Sequence, residues 1–518
     1  MAYQLVLAAT GLAVLYIATT IIYSLFFHPL AKYPGPFLAK ITSLYAAYHG
    51  WKGDIHLDMW RCHERYGNYV RYAPNSLLFN TAGGLRDIYG NSSRLVKSTG
   101  YTPMVHRAPN TLTIRGGKEH SRRRRIMALG VSEKAQRGYE PRIMEHINKL
   151  CDVFLSEGPD VQDGHDGRAW GPPLNMAEWC NYLGFDIMAD VVFGAKYDLV
   201  GNPRFRYVCD AIDRSNIRMG ALIQAPRWAA LKLDKYLFRD AIAARNRFVK
   251  FVVRVVAERM GKTAACAASP DLFANLAAAK DPQTNEGFRA DEIGAESTTL
   301  IVAGSDTTST SVASALFYLA HSPAAYARAA AEVRAAFASR AAIAAGPALA
   351  SCAYLRACVD EAMRMSPAVG SALWREVIQP AGAAIDGRVV AAGCDVGVGI
   401  YSVHHSREYF ADPFVYRPER WIDGDEESVA RARSVFNPFS MGIRGCLGKG
   451  LAMTELMLSL ATVLYVCDFK LAGGKLGAVG RGSGDGEYGR HRENEYQLFD
   501  HVTSQKEGPW LQFAPRAM

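Results

Sequence analysis

The sequence predicts a mainly α-helical protein with small β-sheets, an α+β fold rather than a doubly wound one. Three observations lead there. Apolar residues recur at helical spacing over long stretches, at 141–156, 175–193, 239–260, 290–320 and 324–338. Strand-forming runs are short and gather in two zones. One holds Y-V-R-Y-A-P from Tyr69 and S-L-L-F-N from Ser76; the other spans 374–400 and is broken by Asp386-Gly387. Strands and helices also fail to alternate regularly, as a doubly wound parallel sheet requires. The 518 residues are 49% apolar and 21% charged, which excludes a disordered, collagenous or disulfide-stapled chain.

The first element is an uncharged run at 5–27. As a helix at ~1.5 Å per residue it is about 34 Å long, enough to cross a bilayer core of ~30 Å. A cleaved signal peptide is disfavoured: no basic residue precedes the run, it is too long, and no small-x-small site follows. Lys32 and Lys40 follow it, which places the body of the chain on the cytosolic side. The expected organisation is a membrane anchor at 1–28, a proline-rich elbow at 29–40 that opens with P-L-A-K-Y-P-G-P, and a single domain at 41–518.

Within that domain Pro141 suits a first helical position, where its missing N–H costs nothing. The Ala-rich tract at 324–350 reads simply as helix former. The Gly-rich stretch at 473–489 lacks the Lys-Ser/Thr ending of a phosphate cradle and reads as an exposed loop. D-V-Q-D-G-H-D-G-R from Asp160 lacks the closing Glu of a calcium loop and reads likewise. A net charge of +9 suits an acidic partner or anionic lipid better than nucleic acid. Ten scattered cysteines contain no C-x-x-C pair, so neither a zinc site nor a disulfide framework is indicated. Nine of them read as buried free thiols in a reducing compartment.

The tenth, Cys446, lies in F-S-M-G-I-R-G-C-L-G at 439–448. A thiolate that binds iron needs close backbone approach to a flat cofactor, which Gly442, Gly445 and Gly448 permit. It also needs N–H donors and a helix start, supplied by the apolar run that follows, and a cation for the cofactor's propionates, for which Arg444 is placed. Phe439, Gly442, Arg444, Cys446 and Gly448 together match F-x-x-G-x-R-x-C-x-G, and the chain thereby resembles the cytochrome P450 family. The resemblance implies the cytochrome P450 fold, a haem-thiolate catalytic domain and Cys446 as axial ligand of the iron in haem b. Thiolate ligation pushes electron density onto iron and favours O–O cleavage.

Further motifs follow in the family's order. A-G-S-D-T-T at 303–308 resembles the oxygen-binding stretch of the central helix. There Ala303 and Gly304 border the iron, Gly304 leaves room for dioxygen, and Asp306 and Thr307 deliver protons. Thr298, Thr299, Ser309 and Thr310 read instead as hydroxyls bonded back to helix carbonyls. E-A-M-R at 361–364, with Arg420 in Y-R-P-E-R-W, resembles the family's buried ion network beneath the haem, which gives Glu361, Arg364 and Arg420 a structural role. In E-H-S-R-R-R-R at 119–125, His120 and Arg124 stand where the family often has W-x-x-x-R on a haem propionate; Arg375 matches another propionate position. Arg122, Arg123 and Arg125, turned away from Arg124, are expected to form a basic docking surface for an acidic reductase.

The zone at 216–238 corresponds to the family's access-channel helices and reads equally as membrane-facing or as ordinary core. Apolar residues at 101–112 cap the pocket. The anchor, the elbow, Y-G-N-Y-V-R-Y-A-P-N and the E-N-E-Y-Q-L tail look most like microsomal enzymes of filamentous-fungal secondary metabolism. The implied function is an endoplasmic-reticulum monooxygenase, single-pass with its catalytic domain in the cytosol. It would oxidise a lipophilic terpenoid, polyketide or alkaloid with O2 and no nucleic-acid partner. Electrons would come from NADPH through a separate cytochrome reductase, with cytochrome b5 as a second donor, since no flavin or nicotinamide fingerprint is present. Two alternatives stand beside it: a haem-thiolate isomerase or dehydratase, and a membrane protein that merely binds haem or lipid.

Overall fold

The computed structural model describes residues 1–90, 94–105, 108–156, 161–162, 168–261 and 271–517. Of the loop expected at 160–168 only Val161, Gln162 and Arg168 are described, and the first two are a short strand paired antiparallel with Ala169–Trp170 rather than loop; Cys266 lies outside the described residues. The mainly helical α+β reading holds. The helices that position the site are α1 (Ala2–Ile22), α2 (Gly117–Gly130), α3 (Glu133–Ser156), α4 (Met176–Phe193), α5 (Tyr207–Gln224), α6 (Arg239–Gly261), α7 (Ala290–His321), α8 (Pro323–Ala336), α9 (Ala353–Met365) and α10 (Lys449–Val466).

Helix α1 continues through a wider turn to Phe27, and the run Ala2–Phe27 is apolar and long enough to span a bilayer; only Ser24, near its end, is buried against the protein. Helix α10 is also long and apolar, but most of it is buried, as a core helix must be. Residues 29–36 form turns and extended chain, and the elbow's last residues enter a short helix, Phe37–Ile41. The elbow is fixed to the body by Arg71. Its fully buried guanidinium donates to the Ser24 carbonyl (2.7 Å) and hydroxyl (2.9 Å), while its backbone N–H donates to the Pro34 carbonyl (2.8 Å).

The largest core cluster joins α3, α4, α7, α8, α9 and α10 through residues such as Ile147, Ile187, Phe317, Val333, Leu355 and Leu460. Helix α3 departs from expectation. It starts at Glu133, two turns before Pro141, which sits inside it. Those first turns are mostly polar, so they carry little apolar periodicity, yet Tyr139 is buried there and bonds the Gly130 carbonyl (3.0 Å) and the Asn275 amide (2.8 Å). Local tertiary bonds outweigh the one backbone bond that an internal proline removes.

Both expected strand zones form and merge into one sheet. Strands β1 (Tyr69–Ala73), β2 (Ser76–Phe79), β3 (Leu95–Lys97), β4 (Arg375–Val377) and β7 (Asp395–Val398) take the order β1-β2-β7-β4-β3, with β7 parallel to β2 and the other pairs antiparallel. Between β4 and β7, β5 (Ala383–Ile385) and β6 (Arg388–Val390) form a hairpin. Its Asp386-Gly387 turn has φ of 49° and 70°, the left-handed pair that a two-residue hairpin demands. Strands near the carboxyl terminus were not expected: β8 (Cys467–Leu471) pairs with β11 (Trp510–Pro515), and β9 (Leu498–Asp500) with β10 (Ser504–Lys506).

Candidate functional site

The loop at 439–448 is shaped by its own backbone. The Cys446 N–H donates to the Phe439 carbonyl (2.8 Å) and the Gly445 N–H to that of Gly442 (3.0 Å). Gly442 has φ of 66°, and a Cβ there would collide with the carbonyl of Tyr89, so no other residue fits. Gly448 caps α10 and turns its N–H toward the Cys446 sulfur. Cys446 is exposed, whereas every other described cysteine is buried. The surrounding protein still raises the Cys446 thiol pKa; the Gly448 N–H and the charges of Arg124 and Lys449 oppose the rise without cancelling it. Helix start and donors alone therefore do not hold the anion. A coordinated metal, which deprotonates a thiol outright, would.

Four cations from separate elements converge beside the loop: Lys97 on β3, Arg124 on α2, Arg375 on β4 and Arg444. None forms an ion pair with a carboxylate among the described residues. Among the described residues Arg444 donates to the carbonyls of Ile114 (2.9 Å) and Arg115 (2.8 Å), and Arg375 to those of Leu373 (3.0 Å) and Trp374 (3.2 Å) and to the Tyr101 hydroxyl. Burial and mutual repulsion lower Arg444 to about 10 and push Lys97 well below its ordinary value. His120 lies buried among all four, and burial with their charges depresses it to about 3, so it is a neutral imidazole. A groove of about 830 Å³ opens here, lined among others by Lys97, His120, Arg375, Ile443 and Arg444. So much uncompensated positive charge demands an anion. A flat cofactor bearing two carboxylates suits this donor set. Sequence reasoning found Arg124, His120, Arg375 and Arg444 but missed Lys97, because a lysine ending a short strand gives no local signal.

The sequence motif on α7 is split by the helix. Ala303 is exposed and Thr307, one turn on, is half-buried with its hydroxyl donating to the Ala303 carbonyl (2.7 Å). Asp306 points the other way. It is buried, accepting from the Asn216 amide (3.2 Å) and from the Thr503 hydroxyl. Gly304 does not open toward that Ala303–Thr307 face: a Cβ there would lie 2.5 Å from Met188 Cε on α4. Gly184 of α4 in turn faces the Ser305 carbonyl, where a Cβ would lie at 2.7 Å. The two glycines let α4 and α7 pack closely, which corrects the reading of Gly304 as room for dioxygen. The other hydroxyls bond back to their own helix as expected, Thr298 to Gly294, Thr299 to Ala295, and Ser309 and Thr310 to Asp306. Within 101–112, residues 106–107 lie outside the described residues. Asn110 donates to Thr299 (2.5 Å) and the Thr111 N–H to Glu296 (2.7 Å), so this segment is clamped onto α7.

A second correction concerns the arginines of α2. Arg122 and Arg123 are buried and pair with Glu119, Glu292 and Glu296 at 2.5–3.5 Å; Arg125 pairs with Asp281 at 2.6 Å. This face of α2 packs against the start of α7, so the expected basic docking surface does not exist. The zone at 216–238 divides in two. Met219, Ala221 and Leu222 on α5 are buried, while Leu231, Leu233, Tyr236 and Leu237 are exposed beyond it.

Glu361, Arg364 and Arg420 meet. Glu361 accepts from Arg364 (2.9 Å to each oxygen), from Arg420 (2.9 Å), from the Arg417 N–H (3.1 Å) and from Trp421 (3.0 Å). Burial acts to raise its pKa, but the two guanidiniums outweigh burial and hold it below the ordinary value.

The cytochrome P450 family model matches residues 32–476. The chain belongs to the cytochrome P450 family. Among curated relatives it is 46% identical over 504 residues to the cytochrome P450 monooxygenase AKT7 of Alternaria alternata, covering 96% of this chain and 95% of that one. It is 46% identical over 499 residues to poxM of Penicillium oxalicum (96% and 93%) and 43% identical over 514 residues to atnE of Emericella nidulans (98% and 96%). This P450 is thus a haem-thiolate oxidoreductase, a monooxygenase with the fold of its family. Its amino-terminal apolar helix has the character of a membrane anchor.

Proposed function

We propose that this P450 is anchored in the endoplasmic-reticulum membrane by a single amino-terminal span, its catalytic domain in the cytosol, and oxidises a lipophilic terpenoid, polyketide or alkaloid of fungal secondary metabolism. The observation that carries the reading is the one exposed thiol among the described cysteines, standing at a helix start beside four unpaired cations. Cys446 ligates the iron of haem b. Phe439, Gly442 and Gly448 shape the bed, and Arg124, Arg375 and Arg444 hold the propionates, with His120 donating and Lys97 adding charge. The bound group supplies the insertion of one oxygen atom of O2 into substrate, the other leaving as water. The chain's own part is to bind, to exclude water and to deliver protons. Ala303 and Thr307 border the reacting face, and Thr307 holds a proton at its hydroxyl, which Asp306 replenishes when its carboxyl swings from Asn216 and Thr503 toward Thr307. Electrons arrive from NADPH through a separate cytochrome reductase, with cytochrome b5 as a second donor. Leu231, Leu233, Tyr236 and Leu237 form an apolar surface that supports a second contact with the bilayer, beside which a greasy substrate enters.

The test is turnover with purified reductase, NADPH and metabolites that accumulate in a strain lacking this enzyme. Product carrying one atom from O2 is expected. Thr307→Ala is expected to keep its haem and consume NADPH at a similar rate while releasing hydrogen peroxide in place of most product. A variant as tightly coupled as wild type removes Thr307 from proton delivery.

A further inference from the structure

The Asp306 carboxylate is turned away from the Thr307 hydroxyl, toward a polar seam between α5, α7 and β10. Helix α5 presents Asp210, Asp213 and Asn216 at three-residue intervals, hence along one face. These residues run from outside inward: Asp210 is exposed and paired with Arg214 (2.9 Å), Asp213 is half-buried, and Asn216 reaches Asp306 Oδ2 (3.2 Å). From the other side, β10 and its turn supply Thr503, which accepts from Asn216 (2.9 Å) and donates to Asp306. Lys506 donates to Asn181 Oδ1 (2.7 Å) and Ser309 (3.1 Å) and pairs with no carboxylate among the described residues. Gln505 fastens the Asp213 backbone carbonyl to the same strand.

We propose that Asp213 and Asp306 act as a carboxyl pair that holds one proton, Asp213 being the member that exchanges with solvent and so recharges Asp306. Lys506, Asn216 and Thr503 are its positioning residues. The physical ground is charge. Two carboxylates share one buried seam with a single cation, so only one negative charge is compensated and the second site takes up a proton. Burial and the Asp306 charge push Asp213 up to about 7, with Lys506 opposing; burial likewise raises Asp306 against Lys506, Thr503 and Asn216. The other titratable groups facing the seam are Asp210, whose charge also raises Asp213 but which is itself paired with Arg214, and Cys209 on α5, raised by burial and by Asp213, Asp306 and Asp186 and therefore a neutral thiol. In each cycle a solvent proton joins an Asp213 carboxylate oxygen and passes to Asp306. Asp213 is left ionised and ready for the next proton; no other bond changes.

The inference rests on the proton-delivery role given to Asp306 above, but its main readout needs no turnover. On the resting holoenzyme, infrared difference spectra between about pH 5 and pH 9 should contain, beside the signals of other buried carboxyls such as Glu455, Asp500 and Asp395, one protonated carboxyl of this pair titrating well above the ordinary aspartate range. Asp213→Asn and Asp306→Asn should each remove that titration, because either leaves the remaining carboxylate compensated by Lys506. Lys506→Met should move the midpoint upward by about one unit, a shift that loss of packing alone does not produce. Asp213→Glu should restore it. In the turnover assay Asp213→Asn should leak peroxide with haem content and the thiolate-type CO band unchanged. A titration that persists in both Asn variants overturns the pair, as does full coupling of Asp213→Asn. Neither result touches Cys446 ligation or monooxygenase activity, which fail separately if the CO band or the labelled product is missing.

Discussion

Cys446→Ala is expected to abolish the red-shifted CO band of the reduced protein and all oxidation of substrate. The expected loss is complete because no other described cysteine can substitute: the rest are buried, and burial drives the thiols of Cys62, Cys180, Cys209, Cys358 and Cys394 strongly toward the neutral form. The fold should survive. The bond that closes the loop runs from the Cys446 backbone N–H to Phe439, and the exposed side chain contributes little packing. Compared without haem, variant and wild type should differ by roughly 0.5 kcal/mol or less. Folded protein that unfolds like wild-type apoprotein but gives no thiolate band is therefore the predicted combination. It separates a ligand from a merely structural cysteine, whose removal would lower stability and spare the band. Retention of the band in the variant removes the ligand assignment.

Much of this arrangement was readable from local pattern. Helices α4, α6 and α7 are found to within a residue or so because each carries a long run rich in helix-forming and buried apolar residues, which on α7 is interrupted by buried hydroxyls and carboxyls. The thiolate loop was readable because its glycines answer backbone demands, as Gly442 does against Tyr89. What escaped depended on which neighbour covers a given helix face. Four successive arginines on α2 say nothing of the four glutamates that pair with Arg122 and Arg123, two of which, Glu292 and Glu296, lie on α7. The direction of Asp306 is likewise set by Asn216 and Thr503, far off in sequence. Gly304 misled for the same reason: its missing side chain makes room for Met188. The terminal strands β8 to β11 were missed because runs such as C-D-F-K-L and S-Q-K are too short to declare a period without their partners.

Glu361→Ala is expected to yield haem-poor protein destabilised by about 3–5 kcal/mol, the scale for breaking a buried pair from one side. The carboxylate is wholly buried and answers two guanidiniums at once, Arg364 and Arg420, so its loss strands both charges. The damage reaches the thiolate loop by a short path. Arg364 also donates to the carbonyls of His404 (2.8 Å) and Pro413 (2.8 Å), and the His404 ring accepts the N–H of Asn437 (3.1 Å), two residues before Phe439. On the other side Trp421, bonded to Glu361, packs on Phe436 with ring centres 4.6 Å apart. The pH dependence carries a definite sign. Because the folded pKa of Glu361 is held below its unfolded value, the carboxylate's contribution is fully present above the ordinary glutamate range and is lost as pH falls through the folded value. The stability gap between wild type and Glu361→Ala should accordingly be widest near neutrality and close below about pH 4. Haem absorbance per protein and denaturant midpoints at two pH values measure both effects. A variant that loads haem normally and unfolds at the wild-type midpoint near pH 7 removes the network from any part in holding the loop. The double variant with Arg420→Met should recover part of the lost stability, since it removes one of the two stranded charges that the single substitution creates.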